Sequence, residues 1–161
     1  MPPDWPADLI LLLLILAANG APALLGRWLG QGGAWPVDGG LLMSDGHPLF
    51  GRSKTWRGLG AALLATPVCA LLTGWSWLLG LAIACATMAG DLLSSCVKRR
   101  LGLAPSTQVP LLDEIPESLF PALVAKAWLD LGWIDVGLVV AGFLIGHLVA
   151  NQLAGRASQT G

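Results

Sequence analysis

Charged residues along this chain fall in clusters separated by long apolar runs. No charge lies between Asp8 and Arg27 (18 residues), between Arg57 and Asp91 (33) or between Asp135 and Arg156 (20). A helix that crosses a bilayer core of ~30 Å needs roughly 17–25 mostly apolar residues at 1.5 Å per residue. The longest run would measure about 50 Å as one helix, so Thr73-Gly74 is expected to divide it. The pattern predicts an all-α, polytopic membrane bundle of about five transmembrane helices in one membrane-embedded domain. The expected spans are residues 6–29, 57–72, 75–97, 111–131 and 136–151. The first is expected to be interrupted at Asn19-Gly20-Ala21-Pro22, as a broken or a kinked helix. The fourth carries Lys126 and either crosses or re-enters.

Composition agrees with a bilayer as solvent. Hydrophobic residues make up 55% of the 161 and charged residues 12%, about half the charged share of a soluble domain, and mean hydropathy is +0.69. Seven of the eight tryptophans (Trp5, Trp28, Trp56, Trp75, Trp77, Trp128 and Trp133) stand near expected span ends, where interfacial anchors belong. A net charge of −1 argues against a nucleic-acid footprint. Cys69, Cys85 and Cys96 are odd in number and lie inside apolar runs, as packing residues do. The N-terminus lacks the cations of a signal peptide, so the first span is expected to be retained.

Cations orient the bundle. Arg27, Arg52, Lys54 and Arg57 belong to or flank one loop, Lys98, Arg99 and Arg100 follow the third span, and Arg156 is in the tail. The N-terminus, Thr73-Gly74 and residues 132–135 have none. The positive-inside rule then puts the N-terminus outside and the C-terminus in the cytosol of a multi-pass cytoplasmic-membrane protein. So small a bundle has reason to form a homodimer that covers its site.

Three polar elements remain, all on the cytosolic side. "PVDGGLLMSDGHPLFGRSKTWRG" combines glycines, which let backbone N–H groups approach an anion, with cations that suit phosphate. Without chemistry it is a solvated loop obeying the charge rule. It is not a Walker A loop, because Arg52 stands where Lys would follow Gly51. "GDLLSSCVKRR" places Asp91, Ser95 and Lys98 on one helical stripe, with Asp91 about 10 Å deeper than Lys98. An ionisable group inside a span marks a functional site; the structural alternative is an ion pair with Lys98 or Arg99. In "VPLLDEIPESL", Asp113 and Glu117 share a face on a continuous helix; if Pro116 stands in the helix's first turn, Asp113 lies in the lead-in and the pair is looser. Glu114 reads as a helix-start dipole partner. His147 and Asn151 read as an interhelical hydrogen-bonding pair.

Acids and phosphate-type cations at the membrane face suit Mg²⁺-assisted chemistry on a lipid phosphate, since Mg²⁺ takes one or two carboxylates plus substrate phosphates. A lipid monophosphate, with a second pKa near ~6, can attack a nucleotide α-phosphorus without a protein base. No Ser-His-Asp or Cys-His set is present or needed.

The second element resembles the Gly-Asp-Leu-x-x-Ser-x-x-Lys-Arg core of the CTP-dependent phosphatidate cytidylyltransferases. With "ANGAP", "DGHPLFGRSKTWRG" and "LLDEIPESL", the chain is more similar to their small relatives, the CDP-archaeol synthase family, from Asn19 to about Leu123. The resemblance implies a Mg²⁺-dependent enzyme that makes a CDP-lipid from CTP and a lipid phosphate, either 2,3-di-O-geranylgeranylglyceryl phosphate-like or phosphatidate-like, and releases pyrophosphate. It implies Asp91, Lys98 and Asp113 as catalytic residues. Lys54, Thr55, Arg57, Ser95, Arg99, Asn19 and Asp45 would bind substrates, and Asp91, Asp113 and Glu117 would hold metal. Two departures stand out: Asp113-Glu114-Ile115-Pro116 lacks the larger enzymes' second acid at its fourth place, where Glu117 comes one position late, and their His-Gly-Gly is absent.

Two other readings compete. The CDP-alcohol phosphotransferases need Asp-Gly-x-x-Ala-Arg, which His47-Pro48-Leu49-Phe50 after Asp45-Gly46 does not supply. A transporter subunit or lipid-binding scaffold explains the hydropathy, but not the gathering of Gly-rich, cationic and acidic sequence on one side.

Overall fold

The computed structural model describes residues 3–30, 32–105 and 107–157, apart from the side chains of residues 151 and 153–157. Five helices follow one another: α1 (Trp5–Leu29), α2 (Trp56–Leu72), α3 (Trp77–Arg100), α4 (Glu114–Leu129) and α5 (Trp133–Ala157). Local chemistry starts three of them. The side chains of Asp4, Thr55 and Ser76 accept from the N–H groups of Ala7, Gly58 and Leu78 respectively, satisfying donors that a helix start leaves free. Lys98, Arg99 and Arg100 end α3, where the helix dipole favours cations.

α1 does not break at Asn19-Gly20-Ala21-Pro22. It runs through Pro22 as one helix, because a proline removes one backbone bond and neighbouring helices can support the freed group. α1, α3 and α5 are long and apolar enough to cross a membrane, while α2 is a shorter apolar helix. α4, at 16 residues, spans about 24 Å.

The helices alternate in direction, with short turns after α2 and α4 at one end of the bundle and both long loops at the other. The Asp4 N–H donates to Asp135 Oδ1 at 2.8 Å, tying the start of α1 to the start of α5. α4 therefore crosses the bundle rather than turning back.

Leu11, Leu14 and Ile15 of α1, Leu79 and Ile83 of α3, Ala122 and Ala125 of α4, and Val139 and Phe143 of α5 form the main core. Outward positions are also apolar: Leu64 and Leu72 of α2 are 73% and 81% exposed. A protein with leucines outside, and Thr66, Thr87, Ser94, Ser95 and Ser118 inside, is built for lipid rather than water. It is an integral membrane protein.

Two glycines bring the helices into contact. A Cβ on Gly80 would lie 2.6 Å from Ala70 Cβ and 2.8 Å from Pro67 Cα, so α2 and α3 meet there backbone to backbone. A Cβ on Gly90 would lie 2.5 Å from Pro116 C and 2.8 Å from Glu117 N. Only glycine lets α4 approach α3 so closely, and it does so one residue before Asp91.

Candidate active site

The loop between α1 and α2 is folded. Val37 N–H donates to the Lys54 carbonyl at 2.8 Å and Trp56 N–H to the Trp35 carbonyl at 3.0 Å, and an isolated bridge pairs Leu42 with Pro48. Asp38 holds the loop's interior. Its Oδ2 accepts from Phe50 N–H at 2.9 Å and Gly51 N–H at 2.8 Å, and its Oδ1 from Gly40 N–H at 3.0 Å. Burial pushes the Asp38 carboxyl up, but the donors from Gly51, Phe50 and Gly40 outweigh it and leave the pKa below its usual value. Arg100 clamps the loop onto the end of α3, at 2.9 Å from Asp45 Oδ2 and 2.7 Å from the Pro48 carbonyl.

This folding aims Lys54 inward, where its Nζ lies 2.5 Å from Asp91 Oδ1. Asp91 thus pairs with a residue of the loop, not with Lys98 or Arg99. The Glu117 carboxyl faces Asp91, delivered by the close approach at Gly90. One turn beyond Ser95, Lys98 Nζ lies 2.7 Å from Asp113 Oδ1 and donates to the Thr107 carbonyl at 3.0 Å.

Two cavities meet here. One, of about 530 Å³, is lined by Asn19, Pro22, Ala23 and Gly26 of α1, by Arg52, Thr55 and Arg57, and by Leu59 and Met88. The other, of about 210 Å³, is polar and is lined by Ser95, Lys98, Arg99, Thr107, Gln108 and Asp113. Ser53, Lys54, Asp91, Glu117 and His147 line both, which makes them the junction.

Several expected substrate ligands have structural partners. Arg57 donates to the carbonyls of Gly30, at 2.9 Å, and Gly32, so it closes the chain leaving α1 even as it lines the larger cavity. Thr55 is the N-cap of α2. The Arg99 guanidinium donates to the Leu103 and Ala104 carbonyls and is almost wholly buried. Asp45 lines neither cavity, because Arg100 holds it on the loop surface. Asn19 fits the expectation better: among the described residues its Nδ2 is buried without an acceptor, in the wall of the larger cavity.

The three carboxylates expected to hold metal do not gather at one point in this structure. Among the described residues, no group of three His, Cys, Asp or Glu side chains comes within reach of one ion. α4 begins at Glu114, so Asp113 lies in the lead-in, where its Oδ2 accepts from Val109 N–H at 3.0 Å and its other oxygen faces Lys98. Asp91 and Glu117 remain as a facing pair. Two carboxyl groups that meet either share a proton or hold a cation between them, and among the described residues Glu117 forms no ion pair of its own. Such a pair, open to two cavities, fits a Mg²⁺ that takes its remaining ligands from phosphates and water.

Two residues were not legible as site residues in the sequence. Glu114 is buried, with Oε2 accepting from Leu111 N–H at 2.7 Å and Oε1 lying 2.6 Å from His147 Nδ1. His147 lies 33 positions further along the chain, and no local spacing signals that contact. The expected partner of His147, Asn151, has a side chain outside the described residues.

No protein-family profile matches the sequence. Individual proteins do. The CDP-archaeol synthase of Hyperthermus butylicus is 39% identical over 117 residues, covering 68% of this chain and 67% of that one. That of Aeropyrum pernix is 38% identical over 123 residues, 70% of this chain and 67% of its own. The CDP-archaeol synthase of Methanococcus aeolicus is 29% identical, over 90% of this chain and 88% of its own. A solved structure of an intramembrane enzyme for archaeal membrane lipid biosynthesis superposes with a TM-score of 0.71 at 34% identity, covering 88% of this chain and 90% of that one. With two thirds of both partners aligned at this identity, and a solved intramembrane enzyme sharing the bundle, the chain belongs to the CDP-archaeol synthase family.

Proposed function

We propose that this protein transfers the cytidylyl group of CTP to a lipid phosphate, with 2,3-di-O-geranylgeranylglyceryl phosphate as the lipid, and releases pyrophosphate. One observation carries the reading: the Lys54–Asp91 pair, with Glu117, lies where a larger cavity, apolar on its α1 side, meets a smaller polar one. Such a junction lets a phosphate on a lipid and a phosphate on a nucleotide meet.

An oxygen of the lipid phosphate attacks the α-phosphorus of CTP. The new P–O bond forms as the bond from the α-phosphorus to the bridging oxygen breaks, and the electron pair leaves on pyrophosphate. The nucleophile is already anionic at neutral pH, so the protein's contribution is positioning and charge. Lys54 neutralises oxygens at the junction, Lys98 supplies positive charge in the polar cavity, and Asn19 Nδ2 offers a donor in the larger one. Asp91 and Glu117 would hold Mg²⁺, which when bound supplies Lewis-acid stabilisation of the charge developing on the phosphates. Both long loops would face the cytosol, where CTP is found.

The test is CTP-dependent pyrophosphate release by detergent-purified protein with the lipid phosphate. Release that requires both substrates supports the reading. Lipid binding without release would return the protein to the class of lipid-binding scaffolds.

A further inference from the structure

α5 is apolar, and a histidine 14 residues into it needs a partner, because a polar group at that depth is costly. Its neighbour is Glu114, whose Oε2 accepts from Leu111 N–H at 2.7 Å and whose Oε1 lies 2.6 Å from His147 Nδ1, an ion-pair distance without hydrogen-bond alignment. Phe143, one turn earlier, stacks on the imidazole with ring centroids 6.4 Å apart and planes 5° from parallel. Glu114 thus borders one edge of the ring and Phe143 one face. His147 Nδ1 is buried, yet the side chain is 36% exposed, so the opposite edge, with Nε2, is what reaches open space. That space is the junction: His147 lines both cavities and, among the described residues, is the one through which α5 enters either.

We propose that His147 is a ligand of the lipid substrate's phosphate, presented by Glu114. This rests on the cytidylyltransferase reading and adds a binding residue on a helix that the motifs do not reach. A carboxylate beside Nδ1 occupies that edge of the ring and leaves Nε2 as the edge that can meet a ligand. Nε2 then meets a phosphate oxygen through one hydrogen bond, whose proton is carried by the imidazole ring or by a monoprotonated phosphate. The lipid phosphate is the partner rather than the nucleotide, because this part of α5 faces lipid. Ile145 and Leu148, on either side of His147, are 61% and 51% exposed, and the apolar α1 wall of the larger cavity, Pro22, Ala23 and Gly26, shares that space with His147.

The geometry gives a test that separates this role from packing. In His147→Gln the amide nitrogen falls near the place of Nε2, and in His147→Asn near the place of Nδ1. A phosphate ligand is partly rescued by Gln and not by Asn; a residue that only satisfies Glu114 shows the reverse. The expected result for His147→Ala and His147→Asn is a KM for 2,3-di-O-geranylgeranylglyceryl phosphate raised about ten- to a hundredfold, the loss of one charge-assisted hydrogen bond. KM for CTP should stay within about twofold, and Glu114→Gln should move the lipid KM in the same direction by less. A raised KM for CTP alone, or rescue by Asn instead of Gln, overturns the proposal.

Direct binding gives a second readout that needs no turnover. Native mass spectrometry of the detergent-solubilised protein should show the lipid phosphate preferred over the corresponding lipid alcohol, with that preference lost in His147→Asn and kept in His147→Gln. An unchanged preference in His147→Asn overturns the proposal. If the wild type shows the preference but no CTP-dependent release, the enzymatic reading fails while the phosphate site stands.

Discussion

Lys54 and Asp91, 37 positions apart, meet at 2.5 Å with side chains only 22% and 18% exposed. One comes from a folded glycine-rich loop and the other from the middle of a membrane helix, and their contact joins the two cavities. A mostly buried pair of this kind is expensive to break from one side, because the remaining charge is stranded.

Asp91→Asn keeps the shape but removes the charge that Lys54 and a metal would use. Turnover of CTP should fall at least about a hundredfold, since a metal clamp supplies several kcal/mol and each ~1.36 kcal/mol is tenfold in rate. Lys54→Ala should also be severely impaired, and the double variant no worse than the poorer single one, because the two act as a unit. Pyrophosphate release by folded, detergent-purified variants measures this. Near-normal turnover by Asp91→Asn would remove Asp91 from the site.

Asp113→Asn should behave differently. Asp113 serves Lys98 and the lead-in to α4, so its loss should cost stability, about 3 kcal/mol for a buried pair broken from one side, and reduce turnover less than Asp91→Asn does. Thermal midpoints and rates measured on the same preparations decide the matter. Loss of activity as deep as in Asp91→Asn, at unchanged stability, would restore Asp113 to a direct catalytic part.

Gly90→Ala forces α4 away from α3 beside Asp91. Overpacking of this kind costs about 1–3 kcal/mol and should lower both the thermal midpoint and activity. Gly137→Ala, where an added Cβ meets nothing within 4 Å, is the control and should be close to neutral. Equal behaviour of the two would mean the close approach at Gly90 is not required.

Acid should loosen the loop through Asp38. Its pKa is lowered in the folded protein from an ordinary 3.8, so its stabilising contribution is complete above that value. It is lost as pH falls below 3.8 through the lowered folded-state pKa. Asp38→Asn should make the segment from Gly39 to Gly51 protease-sensitive at neutral pH, as acid does to the wild type. Limited proteolysis across pH 2–7 checks both; an acid response that persists unchanged in Asp38→Asn would point to another carboxylate.

For topology, Pro3→Cys and Met43→Cys in a background lacking Cys69, Cys85 and Cys96 should label from opposite sides of the membrane, Pro3→Cys from outside. Ser158, the natural reporter for the C-terminus, lies outside the described residues. Labelling of both from one side would sink the proposed orientation.

The sequence by itself determined the class of molecule, because lipid leaves the backbone almost no alternative to helices, and uncharged runs of sufficient length announce them. It also singled out Asp91, since a carboxylate at that depth is too costly to be incidental. Tertiary structure decided which charges already have partners within the fold. Arg57 and Arg99 look like phosphate ligands by residue type, yet their donors close backbone carbonyls at Gly30, Gly32, Leu103 and Ala104. Asp45 looks like a loop acid near the site, yet Arg100 keeps it outside. His147 looked like interhelical glue, and became a wall of the site only when Glu114 was brought beside it. These outcomes depend on the rotation and spacing of helices distant in sequence, set at points such as Gly90, and residue type carries no information about which distant backbone will need its donors.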